Sequence, residues 1–155
     1  MTIENMDKDR YWMQLALKQA RTTAALDEVP VGALVVQGDQ MIAVSGNRTV
    51  SEHDPCAHAE VLALREAAKA VENYRLTEAT LYVTLEPCMM CAGAILAARV
   101  KRLVFAAYDL KTGAVGGCFN WLTDSKHTHK VQVLGGVLEE ESAQLLQAFF
   151  RAKRG

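Results

Sequence analysis

Apolar and polar positions change period along the chain, and each change marks an element. From about Asp7 to Leu26, Trp12, Leu15, Ala16 and Ala20 recur every three to four residues, which predicts a helix. Val31 to Val36 is a short unbroken apolar run between Pro30 and Gly38, a strand pattern. Gln37-Gly38-Asp39-Gln40 reads as a hairpin turn into a second strand, Met41 to Ser45, closed by Gly46-Asn47. Ala57 to Ala70 returns to helical spacing. Thr80 to Thr84 is rich in β-formers and predicts a third strand, and Pro87 then opens a helix running through Ala98. Leu103 to Ala106 and, beyond a glycine-rich loop, Val131 to Leu134 complete the strands. Glu139 to Lys153 closes the chain as a helix with acidic residues first and basic residues last, the order its dipole favours. Strands alternating with helices predict an α/β protein in which helices cover a sheet. No repeat, linker or low-complexity tract divides it, so residues 1–155 are expected to form one domain.

Composition narrows this picture. Half of the 155 residues are hydrophobic, enough for a single core. The start, MTIENMDKDR, has no apolar run behind a basic segment, and the longest apolar stretch, Met89 to Ala98, is far short of a membrane span. A cytoplasmic protein with no membrane partner is the expectation. A net charge of −1, from 17 basic and 18 acidic residues, advertises no polyanionic partner globally, so any nucleic-acid contact must come from local patches. The four cysteines, Cys56, Cys88, Cys91 and Cys118, in a chain without a secretion signal point to metal ligation or plain thiols in preference to disulfides.

Two short segments carry the chemistry. His58-Ala59-Glu60 and Pro87-Cys88-Met89-Met90-Cys91 each fall near the start of an expected helix. Cys88 and Cys91 lie three apart, so their sulfurs share a face of a first turn, where the positive helix end favours thiolates. With the His58 imidazole they make three zinc ligands and leave a fourth tetrahedral position open, the arrangement of a catalytic and not a structural site. Glu60 would lie about 200° around a regular helix from His58, which suits it to carry protons and not to ligate. Zinc lowers the pKa of water, and a carboxylate beside it can move a proton to a ring nitrogen and then to departing ammonia. C-x-x-C alone also fits a redox pair, which leaves His58 and Glu60 without a task, or half of a structural zinc site, which would want a fourth Cys or His ligand, Cys56 being the nearest in sequence. H-x-E followed by P-C-x-x-C is the signature of zinc nucleobase deaminases.

Over almost its whole length the chain resembles the bacterial tRNA-specific adenosine deaminases of the cytidine deaminase-like superfamily. The resemblance rests on EVPVGALVV (Glu28 to Val36), GNR (Gly46 to Arg48), HDPCAHAEVLALR (His53 to Arg65), TLYVTLEPCMMCAGAI (Thr80 to Ile95), DLKTGAVG (Asp109 to Gly116) and FFRAKR (Phe149 to Arg154). It implies a three-layer α/β/α fold with a central mixed five-stranded sheet, one zinc ion per subunit, a homodimer, and conversion of a wobble adenosine to inosine. It further implies that Asn47 hydrogen-bonds the flipped base, Ala59 offers a backbone donor, and Val29 and Leu85 wall the pocket. Asp109, Lys111, Arg151, Lys153 and Arg154 would meet the anticodon stem-loop. The residues alone leave alternatives: Asn47 as a turn residue after Gly46, Val29 and Leu85 as core, the basic tail as a dipole-favoured helix end. His53, His127 and His129 are expected at the surface or in loops. The family pattern is broken around Gly117-Cys118-Phe119-Asn120-Trp121, where Ser and aliphatic residues are more usual. The zinc motifs are shared with deaminases of free bases such as guanine, which is the competing activity.

Overall fold

A computed structural model describes residues 2–154. Helix α1 (Ile3–Ala25) starts one turn earlier than the apolar period suggests, because the Asn5 N–H donates to Thr2 Oγ1 at 3.1 Å and caps it. Its first turns are exposed and polar, so they carry no apolar stripe to read. Then come β1 (Gly32–Gln37), β2 (Gln40–Gly46), α2 (Ala59–Val71), β3 (Ala79–Leu85), α3 (Met89–Ala97), β4 (Arg102–Ala107), β5 (Gln132–Leu134) and α4 (Glu139–Arg154). Every expected element is present, with ends shifted by up to four residues.

The strands form one mixed sheet in the order β2-β1-β3-β4-β5, with β1 antiparallel to β2 and β3, and β3, β4 and β5 parallel. Strand side chains alternate between two apolar layers. Ala33, Val35, Leu81, Val83, Leu103 and Phe105 pack with Ala59, Ala63 and Ala67 of α2 and with Ala92 and Ile95 of α3. Leu34, Val36, Tyr82, Val104 and Ala106 point the other way, onto Met13 and Ala16 of α1. Burial on both faces explains why β1 and β4 read as continuous apolar runs instead of alternating ones.

Small residues set how closely the layers approach. A Cβ at Gly32 would stand 2.1 Å from the Ala16 carbonyl oxygen, so α1 lies directly on β1 only because no side chain intervenes. On the same side, Arg102 forks onto Asp9 at 2.7 and 2.6 Å, and Tyr82 donates to the same carboxylate at 2.7 Å. That buried bidentate pair locks α1 to the sheet centre. On the opposite side, the carboxyl ends of β3 and β4 and the starts of α2 and α3 converge, where open α/β sheets place their ligands.

Candidate metal centre and the groove beside it

His58 is the N-cap of α2 and Cys88 the N-cap of α3, both with extended backbone, so two helix N-termini deliver their capping side chains to one point. Cys91 sits one turn into α3 and is fully buried. His58 Nδ1 lies 3.7 Å from Cys88 Sγ and 3.4 Å from Cys91 Sγ, and all three donor atoms fall within 4.8 Å of one another. Tetrahedral zinc with one nitrogen and two sulfur ligands spaces such atoms about 3.5–3.8 Å apart, so the donor set fits that ion in kind and in separation. Cys56, the rival fourth ligand, is exposed and outside the cluster.

Electrostatics favour a thiolate here. The Cys91 thiol donating to Cys88 brings the Cys88 pKa down to about 4, against the opposing cost of burial and with help from His58. The helix end adds to this. The same contact with the Cys88 sulfur, together with deeper burial, pushes the Cys91 pKa up, while the Cys88 sulfur raises that of His58.

Glu60 is not one of the three clustered donors but lies against them, its carboxyl in contact with Cys91. It is 4% exposed, and burial pushes its carboxyl pKa up, with its own backbone N–H, Cys91 and His58 pulling the other way. A carboxyl whose two protonation states are brought closer in energy is suited to take and return protons.

The centre opens into a cavity of about 90 Å³ lined by Val31, Asn47, His58, Glu60, Leu85, Glu86, Cys88, Asp109 and Thr112. Asn47 and Leu85 are among these lining residues. Val29 is not on this wall: it is half-buried against the core, and Val31 occupies the lining position. Ala59, fully buried, is the first helical residue of α2, and its amide lies among those left without an intrahelical acceptor.

Beyond Leu85, Asp109 and Thr112 the cavity meets an open groove of about 730 Å³. Lys111, Arg151, Lys153 and Arg154 line it, together with Leu146, Gln147 and Phe150. All five residues expected to meet RNA are thus on one concave surface. Asp109 holds its own loop, its carboxylate accepting from the Lys111 and Thr112 amides at 3.0 and 3.1 Å and from the Thr112 hydroxyl at 2.9 Å. The other histidines serve loops: His127 Nε2 donates to the Trp121 carbonyl at 2.9 Å and His129 Nε2 to that of Val100 at 2.7 Å.

Glu86 and Thr112 also line the cavity and Phe150 the groove, without a strong sequence signal for any of the three. Glu86 lies inside the quoted TLYVTLEPCMMCAGAI segment and precedes a ligand-bearing turn; an acidic residue at the apolar end of a buried strand was the available signal. Phe150 was read only as part of a tail motif, although half-exposed aromatics beside basic residues suit base stacking.

A mixed sheet flanked by helices, with one imidazole and two thiols beside a buried carboxyl, defines a deaminase of the cytidine deaminase-like fold. Residues 6–154 match the MafB19-like deaminase family. The chain belongs to the tRNA-specific adenosine deaminases: a relative of that description from Haemophilus influenzae is 51% identical over 147 residues, covering 94% of this chain and 85% of its own. A solved tRNA:A34 deaminase, from work on A-to-I editing at the wobble position, superposes with a TM-score of 0.84 at 46% identity, over 88% of this chain and 99% of its own. A guanine deaminase from Nitrosomonas europaea has the same fold at 28% identity, with a TM-score of 0.78 over 88% and 81% of the two chains.

Proposed function

We propose that this chain, as one deaminase domain, hydrolyses the 6-amino group of the wobble adenosine in a tRNA anticodon to give inosine. The observation that carries the reading is the junction of the enclosed nitrogen-and-sulfur centre with the wide basic groove. A free base needs only the former. His58, Cys88 and Cys91 would hold one zinc ion per subunit, which would supply the Lewis acidity that makes water nucleophilic near neutral pH.

The chain's own groups then do the rest. Asn47 and the Ala59 amide hold the extruded base, while Val31 and Leu85 confine it. Glu60 takes one proton from the attacking water and delivers it to ring N1 as the new bond to C6 forms. It passes the second to the amino nitrogen, the C6–N bond breaks, and ammonia leaves. Asp109, Lys111, Arg151, Lys153 and Arg154 seat the stem-loop through its backbone, and Phe150 offers a stacking face.

A homodimer accompanies this reading. Helix α3 (MMCAGAILA) has no charged residue, yet Met89 and Met90 are exposed at 44% and 36%, and an apolar helix beside the active site suits a second copy as its cover. The site of action in this reading is the cytoplasm. Among the described residues no helix is long and apolar enough to cross a membrane.

The test is incubation with an anticodon stem-loop carrying adenosine, with inosine read by sequencing and free guanine in parallel. Inosine formation is expected. Rapid turnover of guanine with no action on the RNA would establish the competing activity, for which the shared fold of the Nitrosomonas enzyme speaks.

A further inference from the structure

Glu86 is 2% exposed, and no cation is bonded to it among the described residues. Its carboxylate is instead wrapped by one loop. Oε1 accepts the Asp109 N–H at 2.9 Å, and Oε2 accepts those of Val115 and Gly117 at 2.8 and 2.9 Å. The loop has been cut to fit. A Cβ at Gly113 would stand 2.3 Å from Glu86 Cδ, and one at Gly117 would stand 2.2 Å from Oε1. The wrapped loop is also tied to the metal centre, since the Ala114 N–H donates to the Pro87 carbonyl at 2.9 Å and Cys88 bridges Gly113. Glu86 itself is anchored, its N–H donating to the Ala107 carbonyl at 2.8 Å.

A carboxylate buried at this depth is costly unless its oxygens are satisfied, and among the described residues loop N–H groups alone satisfy them. What this one orders is the segment bearing Asp109 and Thr112, which stand where cavity and groove meet, and Lys111, which lines the groove. We propose that Glu86 is a positioning residue that fixes where this loop meets the substrate. It touches no reacting atom, and it sets how the RNA is held through the loop it anchors. This rests on the deaminase reading above and extends it to a residue outside the proton-carrying and metal-holding set.

Glu86→Gln removes one acceptor and turns an amide NH2 toward loop N–H groups. The purified variant is expected to keep stoichiometric zinc, to show KM for the stem-loop raised about tenfold or more, and to hold kcat within about threefold. Amide hydrogen exchange at Asp109, Val115 and Gly117 should speed up, a readout independent of activity. Combined with Lys111→Ala, the loss should be no larger than that of the worse single variant, because one acts through the other. Gly117→Ala, which displaces the loop but leaves the carboxylate, is expected to reproduce the KM effect and guards against misfolding of the first variant. A kcat collapse at unchanged KM, additive losses in the double variant, or unchanged loop exchange would overturn the proposal. Failure of the wild-type protein to form inosine would instead strike the parent reading and leave the exchange result to judge Glu86.

Discussion

The enclosed centre and the open groove share Leu85, Asp109 and Thr112 and differ in nearly everything else. The centre holds about 90 Å³ and sets buried groups with displaced pKa values against one another. The groove holds about 730 Å³ and is lined by exposed cations whose charge is screened by water and salt. In the first, desolvation makes each proton position expensive, so changes there should strike the chemical step. In the second, no single contact is worth much, and changes should strike affinity and its salt dependence. A net charge of −1 conceals the groove because its cations are gathered on one surface and offset elsewhere.

The largest expected effect breaks the centre while leaving the groove intact. Glu60→Gln should lower kcat about 10²–10⁴-fold, with zinc retained and stem-loop affinity nearly unchanged. Single-turnover rates, metal analysis and a binding titration on the same preparation check this. Loss of zinc in the variant would mean that Glu60 supports the metal and not the proton transfers.

Next in size is a change in the groove. Arg151→Ala should weaken stem-loop binding about three- to tenfold and reduce the slope of log affinity against log salt by about one, with kcat little altered. Binding measured across a salt series decides it. A tenfold fall in kcat at unchanged affinity would erase the division between the two regions.

Much of this was legible in the residues, for identifiable reasons. The strands were readable because burial on both faces makes Val31–Val36 and Leu103–Ala106 uniformly apolar, and the helices because alanines such as Ala59, Ala63 and Ala67 recur at helical spacing. The metal set was readable because capping positions are local: His58 and Cys88 each sit where a helix begins. Glu86 was not, since its partners at Asp109, Val115 and Gly117 are 23 to 31 residues away and bond through backbone, which leaves no side-chain pattern. Val31 carried no such mark: it lies just before β1 (Gly32–Gln37), where no strand periodicity tells which residue faces the cavity.

A smaller effect concerns the loop on the other flank of the cavity. Glu28, 2% exposed, accepts the Val50 and Ser51 amides at 3.1 and 2.7 Å. Burial pushes its pKa up, but the bonds from Ser51 and Val50 outweigh this and the net displacement is downward from 4.5. Folding therefore favours the ionised form. The stabilisation is complete above the unfolded value and is lost as pH falls through the lower folded one, so the window lies below about pH 5. Glu28→Gln should be less stable than the parent at pH 7, and the gap should narrow toward pH 4. Urea midpoints at the two values test the sign, and a gap that widens on acidification would refute it.

The smallest expected effect has the opposite sign to that of Arg151→Ala. Lys153, one of the groove cations, pairs with Asp27 at the end of α1 and lies over the Phe149 ring, 5.7 Å from its centroid. Both partners of the pair are largely exposed, so it contributes only about 0–1 kcal/mol, and a phosphate entering the groove competes with Asp27 for the same ammonium. Asp27→Asn removes the competing charge while keeping a residue that tolerates the left-handed backbone there, φ 66°. Stem-loop affinity should rise by up to about threefold at low salt, the gain fading as salt is added, with kcat and thermal stability barely moved. Weaker binding by the variant would mean that Asp27 aims Lys153 at the RNA instead of competing for it, and the groove would then be preorganised by ion pairs much as the cavity mouth is by Glu86.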